Sequence, residues 1–201
     1  MFSKNRIKSL LSRPEFSALA IFIFLIVVFT FVNDRFLNSR NFMVILSTYP
    51  ELALVALGIT ILMISGEFDL SVGSVFAVSP IVTMILIADY EIHYIVSILL
   101  GLLAAAFIGL INAIVTVKFK IPSFIATLGM LFMALSIAVV ISGGFPPSVP
   151  KDLPTDWLVG RVDMLRVSIF WLIGIALIFN YMLKKTNFGS WIYATGENQE
   201  A

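Results

Sequence analysis

"GEFDLSVGS", from Gly66 to Ser74, sets two carboxylates and two glycines between the strongly apolar runs Leu52–Ser65 and Leu70–Ala88. A glycine after a long apolar run ends a helix readily, because it takes the left-handed conformation at the C′ position without steric cost. Asp69 or Ser71 can then cap the helix that follows. The helix dipole also favours acidic side chains near that N-terminus. The stretch is therefore expected to be a tight turn between two helices. Ionisable groups at membrane depth are costly and usually serve a purpose. The same turn is thus also a candidate helix break beside a pathway or gate, and the residues alone leave both readings open.

The surrounding composition says which medium the helices meet. Of 201 residues, 60% are hydrophobic and 12% charged, and the mean hydropathy is +1.04. Soluble domains carry about a quarter charged residues, so the chain reads as an integral membrane protein. The net charge of +1 gives no footprint for nucleic acid. The absence of cysteine excludes disulfides, thiol nucleophiles and thiolate metal sites, and a single histidine, His93, excludes a histidine cluster.

Six stretches approach the ~20 apolar residues that span a hydrocarbon core: residues 16–32, 43–65, 70–88, 94–117, 122–142 and 168–183. Their lack of period-two alternation argues against strands, and backbone groups in lipid must be satisfied within the segment, so helices are expected. Lys4, Arg6, Lys8 and Arg13 precede the first run, a layout shared with signal peptides. The run is long for that role, however, and Asn33-Asp34-Arg35 offers no small-residue cleavage site.

With the N-terminus inside, eight basic residues fall in the inner segments: Lys4, Arg6, Lys8, Arg13, Lys118, Lys120, Lys184 and Lys185. Five fall outside: Arg35, Arg40, Lys151, Arg161 and Arg166. That bias sets the expected orientation. Tyr90, Tyr94, Trp171 and Tyr181 lie near span ends, as interfacial aromatics do. The expected fold is an all-α polytopic transmembrane bundle of about six spans, cytoplasmic at its N-terminus, forming one transmembrane domain over residues 1–201.

Several further positions are informative. Pro80 lies within the third run and removes a hydrogen bond to the Phe76 carbonyl, so a kink is expected. Gly101, Ala105, Gly109 and Ala113 recur every four residues, a spacing that lets a neighbouring helix approach closely. Asn112 lies beside this stripe as an interhelical hydrogen-bonding group or a pathway-lining one. Glu51 follows Tyr49-Pro50 and is expected to be an interfacial carboxylate reaching headgroups. In Lys118–Phe124, Pro122 fits the first turn of the next helix. The link 143–167 holds Pro146, Pro147, Pro150 and Pro154, half the chain's eight prolines, and is either a surface lid on the helix ends or a functional loop.

No nucleotide site is legible. Lys8-Ser9 and Lys185-Thr186 have the last pair of a P-loop, but neither has the required glycine before it. No Ser/His/Asp set is evident, so any energy source must be an ion gradient or another subunit.

Four stretches together resemble one family. "GEFDLSVGS" resembles the "GGIDLSVGS" signature of ribose/galactose-type (simple-sugar) ABC importer permeases. "GLINAIVTVKFKIPSFIATLGM", Gly109–Met130, resembles that family's "GLINGLLV.K..IPPFIVTLGT" region. "ISGG", Ile141–Gly144, follows at the expected distance. "FGSWIYATGENQEA", Phe188–Ala201, resembles "FGRYIYAIGGNEEA", which leads into the coupling helix. The motifs occur in the family's order across most of the chain. Glu67 and Pro80 stand where glycines are common in the family.

The resemblance implies a membrane subunit of a binding-protein-dependent importer in a bacterial or archaeal plasma membrane. It implies no enzyme activity or cofactor in this chain, because a cytoplasmic ABC ATPase subunit would bind ATP and Mg. A second permease copy or homologue and an extracytoplasmic solute-binding protein would complete the complex, with the link 143–167 facing the latter. Asp69, Ser71 and Gly73 match the signature and, with Asn112, are the candidate pathway or gate residues. Gly196, Asn198, Glu200 and Ala201 match the start of the segment that docks on the ATPase. Family members continue beyond this point, so the chain is expected to be an N-terminal portion. Two other classes remain in view: a gradient-driven secondary transporter, which would use "SGEFD" as a broken helix, and a non-transporting truncated membrane scaffold.

Overall fold

The computed structural model describes residues 14–150, 153–162 and 165–197. The first helix, α1 (Pro14–Val32), exposes apolar side chains around its circumference, including Phe22, Phe24 and Phe31. A helix apolar all round needs an apolar surrounding.

The expected second span, 43–65, is not one helix. It divides into α2 (Ser39–Thr48) and α3 (Pro50–Ile64), bent by 50°. Pro50 causes the division: it occupies the first turn of α3, where its missing N–H costs nothing, and it cannot continue the α2 ladder. Tyr49 ends α2 by donating its N–H to Ile45 and starts α3 by accepting from Ala53. The Asn38 side chain caps α2 by accepting from the Arg40 N–H at 3.1 Å.

Next come α4 (Val72–Ala88), with Pro80 inside it, α5 (Tyr94–Val117) and α6 (Ser123–Ile141). The link after α6 contains one helical turn, α7 (Asp156–Val159), and a two-stranded antiparallel hairpin, β1 (Arg161–Val162) and β2 (Leu165–Arg166). The hairpin is a small departure from the expected all-α architecture. The last helices are α8 (Ser168–Lys185) and α9 (Asn187–Glu197).

By length and composition α5, α6 and α8 can each cross a membrane, and the bent pair α2–α3 makes a fourth if taken as one broken span. The shorter apolar helices are α4 and the 18–32 portion of α1.

Among the described residues the helices form two groups. In one, α4, α5 and α6 pack on one another; in the other, α3 packs on α8 and α9, with α2 against α3, α8 and β2. Val78, Met130, Ala134 and Ala138 form the buried core of the first group, flanked by Ile81, Val82, Ile108 and Ile111. The alanines let α4 and α6 approach closely, which suits helices that gain little from apolar burial in lipid.

The small-residue stripe holds for only half its length. A Cβ at Gly101 would meet the Thr83 hydroxyl and the Ser79 carbonyl of α4, so Gly101 sits at a true helix crossing. Gly109 and Ala113 are exposed, and nothing lies within 4 Å of a Cβ built at Gly109. With 3.6 residues per turn, a four-residue repeat drifts about 40° at each step. By Gly109 it has left the interface, which continues through Ile108, Ile111 and Asn112.

Candidate functional site

The site begins at the turn 65–71. Gly66 has φ +86°, as its sequence position suggests. Its N–H donates to Met63, and the N–H of Glu67 donates to Leu62. These are the paired bonds of a Schellman ending, which satisfies the last carbonyls of α3.

Beyond it, the Asp69 carboxylate accepts from the Ser71 N–H at 2.7 Å and from the Ser71 hydroxyl at 2.5 Å. Asp69 thus closes an Asx-type turn one step before α4 rather than capping the helix. Ser71 occupies the N-cap position, but its side chain makes no capping bond.

The Ser71 side chain is committed elsewhere. It is fully buried, and while its hydroxyl donates to Asp69 it accepts from the Asn112 amide of α5 at 3.0 Å. The first two turns of α6 hold the same loop. The Phe68 N–H donates to the Ser123 hydroxyl at 3.2 Å, and the Leu70 N–H to the Thr127 hydroxyl at 3.1 Å. Four loop groups are therefore satisfied by α5, α6 and the loop itself. Among the described residues no buried side-chain nitrogen or oxygen lacks a partner.

Of the four candidate pathway residues, the structure brings Asp69, Ser71 and Asn112 into one network. Gly73 does not join it: it is exposed in the first turn of α4, with nothing within 4 Å of a Cβ built there. Ser123 and Thr127 belong to the network and are not singled out by the sequence. Their signal was the pair of hydroxyls one turn apart after Pro122.

Asp69 also lines a cavity of about 900 Å³ between α3 and the α4–α5 pair. Its wall is mainly apolar, with Ser79 and Thr83 of α4 adding hydroxyls. The link after α6 adds Val149, Leu153, Thr155, Leu158 and Val159 to the lining. The proline-rich link thus contributes to the cavity wall. Trp157 anchors it by packing edge-on against Trp171 of α8, ring centroids 6.2 Å apart.

Glu51, expected to be an interfacial carboxylate reaching headgroups, is engaged within the chain. Its carboxylate accepts from Arg166 at 2.9 Å and from the Ser168 hydroxyl at 3.0 Å. It ties the start of α3 to the hairpin and to the start of α8. No local sequence signal marks this cluster, because its partners are 115 and 117 residues away.

Of the expected coupling residues, Asn198, Glu200 and Ala201 lie outside the described residues. Gly196 lies in the last turn of α9, where a Cβ would meet the Ile64 carbonyl of α3. It faces the end of α3, just before the Gly66 turn.

Comparison with known proteins bears on this arrangement. Three relatives are the xylose/arabinose import permease protein of Sulfolobus acidocaldarius, the autoinducer 2 import system permease protein of Escherichia coli and the ribose import permease protein of Escherichia coli. The first is 33% identical over 96% of this chain and 55% of its own length. The second is 32% identical over 96% and 56%. The third is 28% identical over 93% and 59%. The chain thus spans rather more than half the length of these relatives. No solved structure matches it. A family model described as branched-chain amino acid transport system / permease component matches residues 41–201, which include the turn, the cavity and α9. That match covers most of the chain, which therefore belongs to the branched-chain amino acid transport system / permease component family.

Proposed function

We propose that this chain is membrane-spanning permease of an ATP-driven ABC importer, one that carries a monosaccharide or a similar small polar solute into a bacterial or archaeal cytoplasm. The observation that carries the reading is the position of the signature turn. Asp69, braced by Ser71 and Asn112, lines a cavity whose wall is completed by residues of the link 143–167. A cavity between helix groups, lined by both a loop and a polar turn, suits alternating access.

In this reading six segments cross the plasma membrane with the N-terminus inside, and the bent pair α2–α3 counts as one. The turn 65–71 and α9 then face the cytoplasm, and the link 143–167 faces a solute-binding protein outside. The chain performs no catalysis. ATP and Mg are bound by an ATPase subunit that docks at the segment following α9, and a second permease copy or homologue completes the pathway. Asp69, Ser71 and Asn112 act at the inner gate.

Two observations favour a sugar-like solute over an amino acid. The relatives' names specify xylose/arabinose, ribose and autoinducer 2. Among the described residues lining the cavity none is basic, so nothing there would pair with an amino acid's carboxylate. The Ser79 hydroxyl on the wall suits a transient hydrogen bond to a polyol.

The test is co-purification of the permease with an ABC ATPase subunit, followed by uptake of labelled pentoses by the assembled complex in proteoliposomes. Stable association and ATP-dependent uptake support the reading, and uptake with no ATPase present overturns it.

A further inference from the structure

The sequence of α9 places Gly189, Ile192 and Gly196 on one face, because seven residues make almost two full turns of a helix. That face is seated at two points. At Gly189 a Cβ would meet the Leu183 and Met182 carbonyls at the end of α8. The Gly189 N–H donates to the Thr186 hydroxyl at 3.2 Å. At Gly196 a Cβ would meet the Ile64 carbonyl and come within 3.4 Å of the Ser65 carbonyl carbon. Ile192, between the two, is buried. The helix therefore bridges the ends of α8 and α3, and both contacts are to backbone, which cannot swing aside as a side chain can.

The α3 contact falls at the root of the signature turn. Ile64 and Ser65 lead into Gly66. From there the chain is latched to α6 through Ser123 and Thr127, and to α5 through Ser71 and Asn112. We propose that Gly196 is a positioning residue that makes α9 and the end of α3 a single rigid unit, so that displacement of α9 moves the signature turn and Asp69 at the cavity. Gly196 then serves the permease interior and does not itself touch the ATPase. The inference rests on the importer reading, in which an ATPase subunit moves the segment after α9.

The test uses the complete assembled transporter in proteoliposomes and measures ATP hydrolysis and solute uptake separately. Gly196→Ala is expected to leave ATP hydrolysis within about twofold of the parent and to lower uptake per ATP by about tenfold, within the usual range of coupling between sites. Gly174→Ala in α8, where a Cβ has open space, changes neither. Normal uptake per ATP in Gly196→Ala overturns the proposal.

If Gly196→Ala does not assemble, spin labels on Ser65→Cys and Thr195→Cys decide the matter, because the chain has no cysteine of its own. Their separation is expected to stay constant between nucleotide-free and ATP-bound states. A change of about one helical turn, ~5 Å, overturns the proposal. Uptake by the parent complex that ignores ATP is a different result: it sinks the importer reading itself.

Discussion

Asn112 of α5 and Ser71, 41 residues earlier at the start of α4, are joined by a buried hydrogen bond of 3.0 Å. The Ser71 hydroxyl passes that bond on to Asp69 at 2.5 Å. Asn112→Ala removes the donor and leaves a hydroxyl lone pair buried without a partner. Interhelical hydrogen bonds of this kind contribute about 1 kcal/mol, so thermal unfolding in detergent should show a loss of that size. No measurable change would mean that Ser71 is held by Asp69 alone.

Asp69→Asn separates the structural role of this residue from its charge. The amide oxygen can still accept from the Ser71 N–H and hydroxyl, so the turn and subunit assembly are expected to survive. If the carboxylate works at the gate, uptake falls about tenfold, equivalent to about 1.4 kcal/mol on the limiting barrier. Full uptake by this variant would leave Asp69 as a turn residue only.

The crossing of α4 and α5 can be tested at two glycines. In Gly101→Ala the new methyl meets the Ser79 carbonyl and the Thr83 hydroxyl, and overpacking of this kind costs about 1–3 kcal/mol. Gly109→Ala meets open space and should stay within about 0.5 kcal/mol. Equal losses at both positions would show that the whole four-residue stripe is an interface.

The Glu51–Arg166 pair at 2.9 Å has side chains 31% and 38% exposed. Its coupling energy in a double-mutant cycle should therefore be modest, below about 1 kcal/mol. It should also weaken as ionic strength is raised. A larger, salt-independent coupling would mean that the cluster is shielded from solvent in the assembled protein.

The residues made some of these features legible and hid others. Gly66 could be read because its left-handed turn is a local requirement between two apolar runs. Asp69, Ser71 and Asn112 could be named as candidates because they are polar groups in apolar surroundings. Their mutual contact could not, since it depends on how α4 packs on α5. The break at Pro50 falls inside a window, 43–65, that is apolar on average; its local mark is the polar interruption Ser47-Thr48-Tyr49-Pro50-Glu51, which such an average smooths over. The pair of hydroxyls at Ser123 and Thr127 was visible but its role was not: a hydroxyl early in a helix commonly serves that helix, as Thr127 does by donating to the Ser123 carbonyl, and only the fold shows that both also accept from the loop 66–71. Glu51 and Arg166 meet only through the tertiary fold.

The central claim is tested most directly by solute uptake into proteoliposomes that hold the permease with its ATPase and solute-binding partners. The account predicts pentose uptake that requires ATP on the face bearing α9 and persists when an uncoupler collapses ion gradients. Uptake that stops with the uncoupler while ATP is maintained, or that proceeds without any ATPase subunit, would contradict it.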